Sequence, residues 1–321
     1  MENMVKTKEH TALITGAAGF IGSHLCAALI AKKWQVTALD LPTADWWRHD
    51  ALAISPPRIG IFMTDSKMLE DTCHNHFFDS VFHLAAMTDV TRDVSLLDTL
   101  IKENIASTNN LLSVFRTRAK RIIIAGTCEE YGNGPVPFTE TQREIAVSPY
   151  SWSKICTTHL AELYRRIFDA PVMIVRPFLT YGPLQTNTML IPTAIRAALC
   201  GEVMVMTKGE QTRDFNFVSD IVDGLVRMAT VPLCNDYVIN LASGTEITIS
   251  SVVQLIYELC GARTQPCIGA LPYRQGETMH FFGDNQNAKK NLDWVPRVSL
   301  HEGLFRTIDW YRQYLQKEKL S

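Results

Sequence analysis

No uninterrupted apolar run in this chain approaches the roughly 20 residues that a membrane-crossing helix needs. The first ten residues, Met1 to His10, are polar and mixed in charge, without an apolar core of the signal-peptide kind. An excess of one charge is also missing. Lys and Arg number 31 against 33 Asp and Glu, for a formal net charge of −2. Neither a nucleic acid nor an anionic membrane is therefore expected as a partner, although a few local arginines and helix ends suffice for a small polyanion. The eight cysteines (Cys26, Cys73, Cys128, Cys156, Cys200, Cys234, Cys260 and Cys267) form no C-x-x-C pair. Most sit in apolar contexts, and they read as buried free thiols of a reducing cytoplasm. His74 and His76 lack further ligands at sensible spacing, so no metal site is expected. Repeats and low-complexity tracts are absent.

What remains is an ordinary globular composition, 46% hydrophobic and 20% charged over 321 residues, enough for one large domain or two moderate ones. The first feature with chemical content is Leu13-Ile14-Thr15-Gly16-Ala17-Ala18-Gly19-Phe20-Ile21-Gly22. A short apolar strand runs into three glycines spaced three apart and then into an amphipathic helix. Gly16 suits a tight turn, Gly19 a close approach of backbone to phosphate, and Gly22 close packing of helix on sheet. The amides that follow, at Phe20 and Ile21, face an anion at the positive helix end.

Strand-like runs at residues 11–15, 35–39, 58–63, 80–84, 121–125 and 172–176 alternate with helical patterns, notably 21–31, 96–116 and 151–168. Near-continuous apolar strands joined by helices predict an α/β fold, a Rossmann-type doubly wound parallel sheet. After Arg176 the pattern loosens and prolines and glycines become frequent. The expected division is a dinucleotide-binding domain over 1–175 and a smaller mixed α/β substrate lobe over 176–321, some of whose segments return to the main sheet.

Asp40 ends the second strand, 18 residues after Gly22. A carboxylate there accepts hydrogen bonds from the adenosine ribose. It also repels a 2′-phosphate, by about 4 kcal/mol per charge pair at 4 Å and an effective dielectric near 20. Asp40 therefore argues for NAD over NADP. Asp65, after the third strand, reads either as an acceptor for the adenine amine or as a helix N-cap. Tyr150 and Lys154 lie four apart, on one helix face. A phenol near its ordinary pKa of about 10 is a poor base, and a neighbouring ammonium favours the phenolate. The pair then suits removal of a proton from a sugar or alcohol hydroxyl as hydride leaves. Upstream, Thr127-Cys128-Glu129-Glu130-Tyr131-Gly132 follows an apolar strand. Thr127 sits where a hydroxyl shares the substrate proton. Glu129 reads as an acid/base at the substrate or as an exposed loop carboxylate.

Together these residues resemble the extended short-chain dehydrogenase/reductase superfamily, in its NAD-dependent nucleotide-sugar epimerase/dehydratase branch. The resemblance spans nearly the whole chain. It rests on Thr15 to Gly22, Asp40, Val81 to Ala86, Asn104, Thr127 to Gly132, Tyr150 with Lys154, Arg176-Pro177-Phe178, Tyr181-Gly182-Pro183, Arg213-Asp214-Phe215 and Asn291 to Pro296. It implies a catalytic trio of Thr127, Tyr150 and Lys154, with Glu129 as a further acid/base. It places Ala85 and Ala86 beside the cofactor, Thr127 and Cys128 at the substrate, and Arg213 and Arg274 on the substrate diphosphate, where a planar guanidinium pairs two oxygens at once. A homodimer through the helices at 96–116 and 151–168 is implied as well.

Three chemistries fit this scaffold: C4 epimerisation, 4,6-dehydration or the related decarboxylation, and 4-keto-sugar reduction. Asp40 and a retained NAD favour the redox-neutral pair, with epimerisation leading. Glu129 matches the glutamate two residues after the Ser/Thr of family dehydratases and decarboxylases, but Cys128 stands where many dehydratases carry aspartate. Leu179 replaces an asparagine common after Arg-Pro-Phe. Trp46 and Trp47 read as hydrophobic loop packing, with an adenine cap or an interface as alternatives. A non-catalytic dinucleotide sensor on the same fold is the rival reading, and intact Tyr150 and Lys154 oppose it.

Overall fold

The computed structural model describes residues 10–233, 236–274 and 276–318. The polar start before His10 and Cys234 lie outside them. The chain divides into two compact units. One comprises the chain up to Gly126 with Ser148–Val175 and Leu225–Tyr237, the other Thr127–Val147, Arg176–Gly224 and the chain from Val238 onward.

The main sheet has seven strands. Six of them are β1 (Thr11–Thr15), β2 (Gln35–Asp40), β3 (Arg58–Gly60), β4 (Ser80–His83), β5 (Ile122–Ala125) and β6 (Val172–Pro177), in the order β6-β5-β4-β1-β2-β3. Every pairing among these six is parallel. The fold is thus the doubly wound sheet that the strand–helix alternation predicts. Ala12, Leu13 and Ile14 of β1, Val81 and Phe82 of β4, and Ile122 and Ile123 of β5 are fully buried. Strands covered on both faces have no solvent side, which is why they read as unbroken apolar runs. β3 ends at Gly60, three residues short of the run predicted to Met63.

The strand order reverses between β1 and β4, and loops leaving the carboxyl ends of those strands make the ligand crevice of such a sheet. The helices of this unit are α1 (Phe20–Ala31), α2 (Trp47–Ala51), α3 (Ser66–Cys73), α4 (Leu97–Leu100), α5 (Ser107–Phe115) and α6 (Pro149–Phe168). A π-helical turn, Ile101–Ala106, joins α4 to α5 inside the predicted 96–116 helix. Such widened turns cluster at functional positions. Ser148 caps α6, accepting from Ser151 N–H, and Pro149 occupies the first turn, where a missing N–H costs nothing.

The second unit carries three two-stranded pieces. β7 (Leu179–Tyr181) pairs with β10 (Phe215–Phe217), β9 (Thr212–Arg213) with β11 (Ile247–Thr248), and β8 (Val205–Met206) with β12 (Cys267–Ile268). Helices α7 (Leu190–Cys200), α8 (Ile249–Cys260) and α9 (Leu300–Glu318) pack together. Among the described residues, seven cysteines are free thiols; Cys26, Cys73 and Cys128 are buried as expected, whereas Cys200 and Cys267, at a helix end and on a two-residue strand, are exposed. No helix there is long and apolar enough to cross a membrane.

His83, at the end of β4, joins the two loops that leave β1 and β4. Thr15 Oγ1 donates to His83 Nδ1 (2.8 Å) and accepts from Ala85 N–H (3.3 Å). His83 Nε2 donates to Thr108 Oγ1 (3.0 Å), which passes its own proton to Asn104 O (2.7 Å). The ring is therefore the neutral Nε2–H tautomer. Burial, with the Lys154 charge nearby, pushes its pKa from 6.5 down to about 3. Because the folded value lies below the unfolded one, stability from this group is full above about pH 6.5 and is lost as pH falls toward 3. The loss is about 1.4 kcal/mol per pH unit. We predict that His83→Gln removes this slope from unfolding free energies measured between pH 7 and 5; an unchanged slope contradicts the assignment.

Candidate active site

The glycine turn is shaped by what surrounds it. Gly16 adopts φ +69°, and a Cβ there would lie 2.7 Å from Ala85 N. A Cβ on Gly22 would run into the Gly16 carbonyl. The turn and the loop after β4 therefore touch backbone to backbone, and the small Ala85 and Ala86 follow directly. Gly19 is the N-cap of α1 and no side chain caps that end. The first-turn amides of Phe20 and Ile21 thus point from a helix end suited to phosphate oxygens. A concave turn with no Cβ at Gly16, Gly19 or Gly22, opening on an uncapped helix, fits a dinucleotide pyrophosphate.

Asp40 closes the same turn. Its Oδ2 accepts from Ala18 N–H and its Oδ1 from Leu41 N–H, both at 2.8 Å. Asp65 caps α3, accepting from Met68 N–H at 2.9 Å, which is the helix-cap alternative among its two readings.

Tyr150 and Lys154 sit on the buried face of α6, at 8% and 5% exposure. Lys154 Nζ donates to the Ala125 carbonyl at the end of β5, which fixes the ammonium at the carboxyl edge of the sheet. The π-helical turn carries Asn104, which is buried. Its Nδ2 donates to Ser153 Oγ (2.9 Å) and to the Met87 carbonyl (3.1 Å), while its Oδ1 accepts from Met87 N–H (2.8 Å). Asn104 thereby joins α6, one residue before Lys154, to the loop after Ala85-Ala86. In sequence this asparagine stands only as a family match; the tie between the two segments is visible in the fold.

In the second unit, Thr127 is the N-cap of a 3-10 turn, Cys128–Tyr131. Its Oγ1 accepts from Glu129 N–H (3.3 Å), and its own N–H donates to Glu130 Oε1 (2.8 Å). This is a capping box, and its T-x-x-E spacing is legible in sequence. Glu130 is fully buried and pairs with the fully buried Arg176, whose Nε and Nη2 both reach Oε2 (3.0 and 2.7 Å). Glu144 takes a second contact on Nη2 (2.7 Å), and the guanidinium lies 4.7 Å from the Tyr131 ring centroid. Removing one member of such a pair leaves an uncompensated buried charge, a cost of about 3–5 kcal/mol.

Cys128 is buried beside Thr127. Burial pushes its thiol well above the ordinary range, and the charges of Glu129 and Asp214 push the same way. It therefore remains a neutral thiol and cannot do the work of a carboxylic acid. Glu129 is partly exposed. Leu179 packs on an apolar cluster of Cys128, Tyr131, Phe138, Phe178, Ala242 and Phe281.

Arg213 and Arg274 converge on one carboxylate. Arg213 Nη2 lies 2.5 Å from Glu277 Oε1, with Nη1 donating to the Thr212 and Thr278 carbonyls. Arg274 Nε lies 3.9 Å from Glu277 Oε2 and its side chain is 81% exposed. Asp214, next to Arg213, is fully buried. It accepts from the amides of Ser243 (2.9 Å), Gly244 (3.1 Å) and Gly283 (3.3 Å) and so gathers two loops below the arginine. Sequence reasoning missed Glu277 as the partner of that arginine and Asp214 as the tie between the two loops. Among the described residues, no group of three or more His, Cys, Asp or Glu is arranged to hold a metal ion.

A sequence model of the GDP-mannose 4,6 dehydratase family matches residues 13–307. The chain is 34% identical to the UDP-N-acetyl-alpha-D-glucosaminuronate decarboxylase of Bacillus cytotoxicus, covering 94% of this chain and 97% of that protein. Its structure is similar to that of the Thermotoga maritima UDP-glucose 4-epimerase with UDP-glucose, with a TM-score of 0.88 and 28% identity, over 95% of this chain and 99% of the other. It is likewise similar to MoeE5 in complex with UDP-glucuronic acid and NAD, with a TM-score of 0.84 and 30% identity, over 95% and 99%. The glycine turn, the paired Tyr150 and Lys154 and the doubly wound sheet have a common origin: this chain belongs to the GDP-mannose 4,6 dehydratase family of the extended short-chain dehydrogenase/reductase superfamily.

Proposed function

We propose that this chain is an NAD-dependent enzyme that oxidises a nucleotide-diphosphate sugar at C4 and returns the hydride to the opposite face, a 4-epimerase. The observation that carries the reading is the Lys154 ammonium, tied to the end of β5 one helical turn from Tyr150 on a buried helix face. The named relatives support it. One acts on UDP-glucose, another is bound to UDP-glucuronic acid and NAD, and a third is a UDP-sugar-acid decarboxylase. A uridine-diphosphate hexose or its uronic acid is therefore the substrate class we assign.

In this reading the first unit holds the dinucleotide and the second holds the sugar nucleotide. Gly16, Gly19 and Gly22, with the amides of Phe20 and Ile21, receive the pyrophosphate. Asp40 accepts from the adenosine ribose and excludes a 2′-phosphate, Asp65 lies on the adenine side, and Ala85 and Ala86 leave room for the cofactor. NAD, when bound, supplies the hydride acceptor for C4. Tyr150 takes the C4 hydroxyl proton, and Lys154 lowers the cost of the phenolate. Thr127 shares that proton by hydrogen bond, and Cys128 lines the sugar. Arg213 and Arg274 pair with the diphosphate.

Glu129 supports a second reading. A partly exposed carboxylate two residues after Thr127, together with the decarboxylase relative, suits loss of carbon dioxide or water from the oxidised sugar. We further infer a homodimer. Trp152, Cys156, Leu163 and Ile167 make a stripe at helical spacing on α6, and Leu163 and Ile167 are exposed. The free thiols suit a cytoplasmic location.

Tyr150→Phe is expected to lower turnover by about a thousandfold or more while NAD stays bound; turnover within tenfold of the parent contradicts the base assignment. Incubation with a panel of nucleotide sugars, read by mass spectrometry and NMR, should give an isobaric C4 epimer without added cofactor. Loss of carbon dioxide or water, abolished by Glu129→Gln, would favour the second reading instead. Light scattering at micromolar concentration should report a dimer, and a monomer alone rejects the helix interface.

A further inference from the structure

The tryptophan pair after Asp40 is not simple loop packing. Trp46 and Trp47 open the segment that contains α2, and the next two residues turn back onto the glycine turn. Arg48 Nη1 donates to the Ala18 carbonyl (3.2 Å), and His49 Nε2 donates to the Ala17 carbonyl (2.8 Å). Arg48 is 8% exposed and His49 fully buried. Each is braced by an indole. The Arg48 guanidinium lies 4.5 Å from the Trp47 ring centroid, and His49 meets Trp46 edge-on at 4.8 Å. Arg58, at the start of β3, covers the Trp46 ring at 5.1 Å and pairs with Asp50 at 3.2 Å.

The Ala17–Ala18 peptide has its carbonyl held by His49 and its N–H held by Asp40 Oδ2 (2.8 Å). The Ala18–Gly19 peptide has its carbonyl held by Arg48 and its N–H held by the Gly16 carbonyl (3.1 Å). Both peptides are tied at both ends. Of the two, the Ala18–Gly19 peptide is the freer to flip, since its rotation takes place at φ of Gly19 and glycine has ready access to either sign of φ. A flip would aim a carbonyl oxygen at Asp40 Oδ2 or at the Gly16 carbonyl, acceptor against acceptor, and would undo the turn that sets the direction of the α1 amides. The tethers keep the turn in the one arrangement that leaves the amides of α1 facing an anion.

We propose that Trp46–His49 is a latch on the glycine turn, in which Arg48 and His49 are positioning residues that set dinucleotide affinity by fixing the two peptides from Ala17 to Gly19. The proposal rests on NAD as the cofactor. It adds that residues pointing away from the phosphates determine how long NAD is retained.

The test uses the full chain stripped of cofactor. NAD and ADP-ribose affinities, melting temperature without ligand, and kcat at saturating NAD are measured for the parent, Arg48→Met, Arg48→Lys and Trp47→Ala. The expected result for Arg48→Met is about tenfold weaker binding of both ligands, with kcat within about twofold of the parent. Arg48→Lys should recover part of the affinity. Trp47→Ala keeps the guanidinium but removes its platform, and should fall between the parent and Arg48→Met. It also keeps the proposal testable if Arg48→Met does not fold. Parent-like NAD and ADP-ribose binding by a folded Arg48→Met, or a loss confined to kcat or to melting temperature, overturns the latch. Failure of the parent itself to bind NAD would instead sink the cofactor assignment.

Discussion

A dianionic pyrophosphate can be held by neutral backbone only if several N–H groups point at it together and cannot turn away. That constraint organises the first unit. β1 must be buried on both faces so that its carboxyl end is fixed, and Ala12, Leu13 and Ile14 are fully buried. The chain must then reverse within a few residues. Gly16 takes a positive φ with Ala85 backbone against it, and Gly22 lets α1 close on the Gly16 carbonyl. The cost is conformational freedom in the turn. Asp40, Arg48 and His49 remove that freedom from three sides.

The second unit solves a different problem, how to keep charged and hydroxyl groups in place without water. Thr127 is held through its own amide by Glu130, and Glu130 is neutralised by Arg176. Arg213 is held by Glu277 and stands on a loop junction tied by Asp214. A buried pair of this sort adds little net stability, but it is costly to break from one side, so it fixes geometry. The carboxyl group of Asp214 shows the strain of the arrangement. Burial raises its pKa even though three backbone amides and the Asn216 side chain bind it.

Much of this was legible before any coordinates. The apolar runs of β1, β4, β5 and β6 stand out because both faces of the sheet are covered, and the glycine spacing marks the positions where the structure leaves no room for a Cβ. Helix α7 was not foreseen, because Pro192 reads as a breaker, yet it occupies the first turn, where its missing N–H is harmless. The T-x-x-E spacing of Thr127 and Glu130 carried a capping signal that went unread beside Glu129. The partners Arg176, Glu277 and Asn104 were out of reach for another reason. Their contacts span 46, 64 and 49 positions of chain, and no local pattern encodes such a pairing. Arg48 and His49 were hidden by the indoles before them, which looked like packing and proved to be supports.

In the proposed reaction a hydride leaves C4 of a sugar and comes back within one turnover of one protein. The direct measurement is a nucleotide sugar deuterated at C4, incubated with the enzyme in ordinary water without added NAD(P)H and followed by NMR. The predicted result is a product that keeps its deuterium at C4. Loss of the label to solvent, or a product that forms only when reduced cofactor is supplied, would contradict it.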